Sequence, residues 1–312
     1  MKLYLVCCFL IVSVNVFADS CNYTTSVPAL SYYVDDTNAT TPGTVTVARS
    51  GSGDSKCSNF FFAFTKGWAG NYNRRATNLQ NGNFIYYNLY KNSNSTGVLK
   101  EPSDITSSNE VIFTSINKDE VKNFYYYFTL AAFGSSPPAA GNYYDNVQVQ
   151  GYSGTYTNIN AFEGYKDLNI YIYVSKFISI SLVDNGGAHD PSQTSKTLDF
   201  GELETGKEID FDMRVVSNAG YSVKVSSSNN GILKRADGIG TTSQIGYSFF
   251  ANGSLKSLGS SANSPVSIAS GTGITTSQGV QIPIRVVIGT VDTTKESGTY
   301  QDYITVTTTT TD

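Results

Sequence analysis

The side chains suited to acid–base or nucleophilic chemistry are few in this chain, and their spacing does not favour a catalytic site. The single histidine, His189, lies in the turn-rich segment 185–191, which reads NGGAHDP. A histidine base needs a nucleophile and an orienting group within hydrogen-bond reach, and the sequence signals neither. We therefore expect His189 to be a surface loop residue.

Neighbouring carboxylates are the second candidate chemistry, because glycosidases use two of them as acid and base. Exposed positions on strands or turns explain the neighbouring carboxylates of this chain better than a catalytic role does. A phosphate-binding loop is not indicated either, because the Gly-rich turns lack its Gly-Lys-Ser/Thr ending. We predict that the protein is not an enzyme and holds no cofactor or metal. The pairs are Asp35/Asp36, Glu202/Glu204 and Asp210/Asp212.

Composition points to an all-β protein. The 312 residues include 22 Tyr, 17 Phe and 28 Gly, only 15% are charged, and the formal net charge is -4. This charge balance argues against a nucleic-acid or anionic-membrane partner. Abundant Thr, Tyr, Phe and Val separated by Gly, Asn and Ser are typical of many short strands joined by turns.

The first 18 residues read as a signal peptide. Lys2 precedes an apolar run, and Ala18 ends a short small-residue cleavage motif before Asp19. Removal of this segment takes Cys7 and Cys8 with it and leaves Cys21 and Cys57. In an oxidising compartment this even number predicts a disulfide. A metal pair is the alternative, but two thiolates without a nearby histidine do not complete a tetrahedral site.

Alternating apolar and polar residues predict strands along most of the chain, and no stretch shows a helical period. Together with the turn clusters, this pattern favours antiparallel sandwiches of the immunoglobulin type. The segment 167–183 shifts register near Phe177, which predicts two strands end to end. The other predicted strands are 44–48, 60–65, 84–90, 124–131, 210–216, 221–226 and 282–288.

Three blocks recur in the same order at nearly one offset, so the chain contains an internal repeat. We therefore predict two tandem domains, 19–174 and 175–312, that follow the signal peptide 1–18. Little free linker separates them, so we expect stiff coupling. The matched blocks are 140–150 with 297–307, 85–90 with 245–250, and 73–76 with 233–236.

The second domain is predicted to be an incomplete sandwich. Residues 152–174 can close the first domain, whereas only a short Thr-rich stretch follows the matching strand 300–306. An unpaired edge invites strand addition from another chain. The expected acceptor edge contains Tyr300, Tyr303, Ile304 and Val306.

These features together resemble a known family. An early cysteine (Cys21), an arginine pair at 74–75, a Tyr-x-Leu-Tyr strand at 87–90 and the Gly-x-Tyr-x-Asp strand starting at Gly141 are similar to the spore coat protein U domain. That family supplies subunits of archaic, Csu-type chaperone–usher pili. Two such domains in tandem resemble the tip adhesins of those pili.

The resemblance implies an immunoglobulin-like fold, a periplasmic chaperone, an outer-membrane usher and a donor strand from the next pilus subunit. It also implies export through the periplasm to the cell surface at the pilus tip, with a role in biofilm attachment. Because Cys21 follows Asp19 so closely, we expect no room for a donor segment, which also favours the tip.

Adhesion candidates are loops that combine turn residues with apolar side chains. Pro137, Pro138 and Ala139 form one expected tip, since a Pro-Pro pair favours an exposed, extended segment. Trp68 lies between two glycines, and Phe162 is expected in a turn. The target, whether a surface, a protein or a glycan, stays open.

Two alternatives remain at this point. The first alternative to a tip adhesin is a non-adhesive adaptor or minor structural subunit of the pilus. The second is a secreted carbohydrate-binding β-sandwich protein. Deleting the first domain separates the adaptor from the adhesin, because fibres built with an adaptor would still adhere.

Overall fold

The computed structural model describes residues 21–34, 40–51, 54–133 and 138–311. Within these ranges the chain forms twenty β-strands and five short 3-10 turns, and it contains no α-helix. The predicted all-β class is confirmed. The predicted signal peptide lies outside the described residues. None of the helical turns in the described part of the chain is long and apolar enough to cross a membrane.

Ten strands from the N-terminal half form one continuous system. A path runs β1-β3-β8-β6-β5-β9-β10-β2, with β4 beside β9 and β7 beside β4. Every pairing is antiparallel except that of β10 with β2. The strands are β1 (Tyr23–Ser26), β2 (Leu30–Tyr33), β3 (Thr41–Arg49), β4 (Asn59–Phe64), β5 (Arg75–Thr77), β6 (Phe84–Tyr90), β7 (Ile112–Ser115), β8 (Val121–Leu130), β9 (Gly141–Thr155) and β10 (Asn158–Val174).

Alternation along these strands builds one hydrophobic core. Phe60, Phe62 and Phe64 of β4 point inward and meet Val147 and Val149 of β9 in the same buried cluster. Such a core follows from the period of two, because successive side chains of a strand point to opposite faces.

Arg74 lies inside this half and is fully buried. Its guanidinium donates hydrogen bonds to the carbonyl oxygens of Thr65 (3.0 Å) and Leu99 (2.7 Å) and to Asn88 Oδ1 (2.6 Å). Burial lowers the pKa of Arg74, and the nearby Tyr87, Tyr72 and carboxylate groups oppose that shift. A buried cation costs free energy unless acceptors surround it. Arg74 therefore ties the backbone at Thr65 and Leu99 to the side chain of Asn88.

Ten further strands form the C-terminal half in two sheets. One sheet runs β11-β12-β18-β15-β14-β19 with β16 beside β15, and the other runs β17-β13-β20. The strands are β11 (Ile178–Asp184), β12 (Glu208–Ser217), β13 (Gly220–Ser227), β14 (Ile232–Arg235), β15 (Gln244–Ala251), β16 (Ser254–Lys256), β17 (Val266–Gly271), β18 (Val280–Ile288), β19 (Tyr300–Gln301) and β20 (Ile304–Thr311). Phe211, Val223, Phe249 and Ile284 belong to the core between them.

The two strands expected end to end are confirmed, since β10 ends at Val174 and β11 begins at Ile178. Buried Asn218 holds the connection between them: its side chain accepts from the Phe177 amide and donates to the Ser175 carbonyl, both at 2.9 Å. The Asn218 carbonyl also accepts from the Ala140 amide at 2.9 Å, next to the start of β9.

One local expectation is wrong. Phe162 lies in β10 and not in a turn, because the hairpin of β9 and β10 extends through residues 141–174. Gly164 has φ +118° and sits where the register shifts between Phe162 and Gly164. A glycine that suggests a turn in sequence here makes a β-bulge inside a strand.

Cys21 and Cys57 form the expected disulfide, with their Cα atoms 5.4 Å apart and a sequence separation of 36. We predict that the double substitution Cys21→Ala/Cys57→Ala lowers the free energy of unfolding of the N-terminal half by about 3 kcal/mol, because the closed loop restricts the unfolded chain. Urea unfolding followed by Trp68 fluorescence measures this loss. Reductant should lower the urea midpoint of the parent protein and leave the midpoint of the double variant unchanged. Equal midpoints for the oxidised and reduced parent would contradict the prediction.

Candidate functional site

The C-terminal half contains an open strand edge. β20 pairs with β13 along one side, from Ser227 opposite Ile304 to Gly220 opposite Thr311. No strand among the described residues pairs with its other side. Along β20 the inward residues are half-buried and the outward residues are exposed in strict alternation.

The N-terminal half shows what a closed edge looks like. β9, which matches β19 and β20 in the repeat, pairs with β10 from Gly141 opposite Val174 to Thr155 opposite Asn158. Val147 and Val149 of β9 are therefore 0% exposed. Their counterparts Ile304 and Val306 are only half-buried. The difference lies in the covering strand, since the side chains are of the same type.

The second wall of the opening is β11, which pairs only with β12 among the described strands. Cα atoms of β11 and β20 approach within 8 Å without a shared hydrogen-bond ladder. Two strands that flank a third lie roughly 9.5 Å apart, so an inserted strand must first separate β11 and β20 where they are nearest. Ile178, Ile180 and Leu182 of β11 are half-buried against the same core. The Leu182 amide is already bound by the Gln193 carbonyl at 2.7 Å, so this end of the β11 edge is occupied.

The closed half also indicates the direction of a strand that would fit here. β10 runs antiparallel to β9 and parallel to β2, with Ile170 opposite Leu30 and Ile172 opposite Tyr32. Leu30 and Tyr32 are buried by it. By the same geometry, a strand placed between β20 and β11 would run antiparallel to β20 and parallel to β11.

Matching side-chain contacts relate the two halves. Tyr143 Oη donates to the Ala139 carbonyl at 2.8 Å, and Tyr300 Oη donates to the Glu296 carbonyl at 2.7 Å. These contacts agree with the match of β9 to β19 and β20, since in both halves the tyrosine bonds a carbonyl four residues upstream.

A second matched contact is a tyrosine–aspartate pair. Tyr87 Oη donates to Asp145 at 2.5 Å, and Tyr247 Oη donates to Asp302 at 2.6 Å. Burial raises the pKa of Asp145, which the hydrogen bonds from Tyr87 and backbone amides oppose. Burial also raises the pKa of Tyr247, and its bond to Asp302 adds to that shift. Both pairs are therefore structural, as expected, although Asp145 lies inside β9 and does not open it.

The third block of the repeat is aligned wrongly in sequence. Thr77 of β5 pairs with Tyr144, and Lys234 of β14 pairs with Gln301, the counterpart of Tyr144. Thr77 and not Arg74 therefore corresponds to Lys234. The resemblance of the basic residues is coincidental, and buried Arg74 has no basic counterpart in the C-terminal half.

The expected acceptor residues separate into two groups. Ile304 and Val306 face the opening between β20 and β11. Tyr300 lies in β19, pairs with Arg235 of β14 and makes the carbonyl bond described above, and Tyr303 is exposed. Sequence reasoning missed Ile178, Ile180 and Leu182, although their alternation in the predicted first strand of the second domain is a usable signal.

The adhesion candidates are also divided by the structure. Ala139 is only 7% exposed, so it does not present its side chain to a ligand, and Pro138 is half-buried. Pro137 lies outside the described residues. Trp68 is 49% exposed and packs on Tyr144, whereas Phe162 is 54% exposed and packs on Tyr152. These two aromatic side chains remain available to a partner.

His189 is more enclosed than expected. Its ring nitrogens lie 3.2 Å from Ser179 Oγ and 3.0 Å from Ser181 Oγ, so it fastens its loop to β11. Burial lowers the pKa of His189, and Asp190 opposes this shift. Ser181 is completely buried and has no access to a substrate. The arrangement is therefore a structural one.

The carboxylate pairs do not form a site in the described part of the chain. Asp210 accepts from Arg285 Nε at 2.9 Å. Asp212, expected at an exposed position, is buried and accepts from the Gly186 amide at 2.7 Å. Glu202 and Glu204 are exposed, while Asp35 and Asp36 lie outside the described residues. The described residues contain no group of three or more potential metal ligands.

Several solved structures resemble the chain at low sequence identity. The chaperone–tip adhesion subunit complex CsuC–CsuE of Acinetobacter baumannii is 15% identical, covering 91% of this chain and 99% of that one, with a TM-score of 0.40. The CupB6 tip adhesin of Pseudomonas aeruginosa is 10% identical over 92% and 94%, with a TM-score of 0.37. CfaE, the adhesive subunit of CFA/I fimbria of enterotoxigenic Escherichia coli, is 15% identical over 92% and 78%, with a TM-score of 0.36.

No curated protein matches the chain in sequence. A protein-family model does match: the Spore Coat Protein U domain aligns with residues 9–150. That stretch includes the disulfide, the buried Arg74 and the first tyrosine–aspartate pair. Over residues 9–150 this chain is therefore similar to the Spore Coat Protein U domain family.

Proposed function

We propose that this protein is an adhesive subunit of a chaperone–usher pilus, joined to the fibre by a strand that another subunit donates to its C-terminal half. The observation that carries the proposal is the contrast between β9, whose inward valines are covered by β10, and β20, whose Ile304 and Val306 are not. Free edges with apolar neighbours favour strand addition.

The donated strand gains both backbone and side-chain interactions. β20 offers unpaired backbone groups over Ile304–Thr311, and the apolar side chains of β11 and β20 lose their remaining contact with water. Burying apolar surface stabilises by roughly 25 cal/mol per Å². The pattern required of the donor is therefore alternating apolar residues, which the chain's own β10 exemplifies.

The partners follow from this role. A periplasmic chaperone would cover the open edge before assembly, an outer-membrane usher would secrete the subunit, and the next pilus subunit would supply the donor strand. The two domains, 19–174 and 175–312, would then divide the work: the N-terminal domain adheres and the C-terminal domain joins the fibre at its tip. Of the adhesion candidates named in the sequence analysis, we propose Trp68 and Phe162 as the residues that contact the target. The protein would act at the cell surface.

The test uses a peptide copy of residues 165–175, which contain the inward residues of β10. We expect the full-length chain to bind it with one-to-one stoichiometry by native mass spectrometry. Hydrogen exchange should slow at Ile304–Thr311 and in β11, because the edge amides become paired. A matched peptide with Ile170→Asn and Ile172→Asn should not bind. Equal binding of both peptides, or protection elsewhere only, would reject strand acceptance at this edge.

A further inference from the structure

The outer face of β9 and β10 is built from aromatic rings and side-chain amides. The inward residues between them, such as Asp145 and Val147, are buried in the N-terminal core. Among the six outward positions in register, one is charged. The six positions are Tyr144, Asn146 and Gln148 of β9, which pair with Tyr171, Asn169 and Asp167 of β10, in that order.

Three rings form a continuous row at one end of this face. Trp68 packs edge-on against Tyr144 with ring centroids 5.0 Å apart, and Tyr144 lies 5.2 Å from the Tyr171 ring. Trp68 and Tyr171 are 49% and 36% exposed, so the row is open to solvent. Tyrosine and tryptophan combine a large apolar face with a polar group, which suits them to ligands that are themselves both apolar and polar.

The amides beside the row are held in place and keep free hydrogen-bonding groups. Tyr144 Oη and Asn146 Nδ2 both donate to Asn169 Oδ1, at 2.7 Å and 2.9 Å. Among the described residues, Asn146 Oδ1, Asn169 Nδ2 and the side-chain amide of Gln148 make no hydrogen bond. Donors and acceptors thus stand next to exposed rings on a rigid sheet.

The charges around this face argue against an anionic partner. Lys66, two residues before Trp68, is paired with Asp104 at 2.8 Å and with Glu101 at 3.5 Å. The one charged side chain among the six positions, Asp167, is negative. Exposed Arg75 on the same side of neighbouring β5 is a single cation, and it lies over the Phe84 ring. Nucleic acids and anionic lipid surfaces require clustered free cations. A neutral ligand rich in hydroxyl groups matches the face instead.

We propose that this face binds a neutral oligosaccharide. Sugar rings stack their C–H faces on Trp68, Tyr144 and Tyr171, and their hydroxyl groups bond to Asn146, Asn169 and Gln148. The inference names a ligand class for the adhesive part of the proposed function. It depends on the N-terminal half alone and not on strand acceptance by β20.

Trp68 is the only tryptophan in the chain, so its fluorescence reports on this face. The full-length protein is titrated with neutral oligosaccharides of glucose, mannose, galactose and N-acetylglucosamine, and with sialylated and sulfated oligosaccharides for comparison. We expect a saturable fluorescence change with at least one neutral series and weaker binding of the charged ones. No saturable change with any neutral series, or equal binding of charged sugars, would overturn the proposal.

Variants place the binding on the face. Tyr171→Ala is expected to weaken binding at least about tenfold, and Asn169→Ala about fivefold, since each removes one type of contact. Tyr171→Phe keeps the ring and should stay within about twofold of the parent. Tyr125→Ala is the control, because Tyr125 is an exposed tyrosine of β8, which pairs with β3 and β6 and not with β9 or β10. Equal loss in the Tyr125 and Tyr171 variants would overturn the assignment.

A second comparison separates this inference from strand acceptance. Val306→Asp should leave oligosaccharide binding unchanged, and Tyr171→Ala should leave binding of the 165–175 peptide unchanged. If the peptide binds and no neutral sugar does, the glycan face is wrong and strand acceptance stands. If a neutral sugar binds at Trp68 and the peptide does not, the reverse holds.

Discussion

Val306→Asp is expected to abolish strand acceptance by the C-terminal half, with a loss of peptide affinity of about 100-fold or more. Val306 faces the opening between β20 and β11, and a donor strand would bury it as β10 buries Val149. A carboxylate at that position must be desolvated or protonated when the strand binds, which costs several kcal/mol. Calorimetric titration with the 165–175 peptide measures the loss.

The matched control is Thr305→Asp. Thr305 is the neighbouring residue of β20 and points outward to solvent. The Thr305→Asp variant keeps the same backbone edge and adds the same charge to the protein. Its affinity for the 165–175 peptide should therefore stay within about threefold of the parent. If Thr305→Asp were as damaging as Val306→Asp, net charge and not groove filling would explain the effect, and the acceptor geometry would be wrong.

Arg74→Met is expected to destabilise the N-terminal half by about 4 kcal/mol. The substitution keeps much of the side-chain volume but removes the donors to the Thr65 and Leu99 carbonyls and to Asn88. The Thr65 and Leu99 carbonyls then lose this donor, whereas Asn88 Oδ1 keeps the Leu89 amide. Each buried acceptor left without a partner costs about 1–3 kcal/mol. Urea unfolding followed by Trp68 fluorescence reports on this half specifically.

Arg75→Met is the comparison that the chain itself offers. Arg75 is exposed, and its guanidinium lies 5.1 Å from the Phe84 ring centroid. An exposed cation–π contact is worth about 0.5–1 kcal/mol, so this variant should unfold within that margin of the parent. Similar losses for the two variants would show that burial of Arg74 contributes nothing special to stability.

The two proposals assign different physical roles to similar strands. β20 and β11 expose the inner faces of a sandwich, so their function depends on covering apolar side chains. β9 and β10 bury that inner face within the chain and leave a patterned outer face free. Under the two proposals, one fold supplies a strand-accepting edge in its C-terminal half and a ligand-binding face in its N-terminal half.

The sequence alone determined most of the long strands, two of the three repeat blocks and the disulfide of this protein. Alternation of apolar and polar residues predicts β3, β4, β6, β8, β12, β13 and β18 because the side-chain period of a strand is local. Tyr143 and Tyr300 were matched through the repeat. Their shared role is also local, because the carbonyl that each hydroxyl bonds lies four residues upstream. Only Cys21 and Cys57 remain after the predicted signal peptide, so their pairing follows from counting.

Only the tertiary structure decided which residues share a surface. Arg74 and Lys234 looked equivalent in sequence. In the structure Lys234 pairs with the counterpart of Tyr144, as Thr77 pairs with Tyr144, so Arg74 has no basic counterpart. Ala139 looked like an exposed tip and is buried, and Phe162 looked like a turn residue and lies in a strand. The acceptor opening and the row of Trp68, Tyr144 and Tyr171 each join segments far apart in the chain. Pairing between distant strands sets these neighbours, and the local period of the sequence carries no information about which strands will pair.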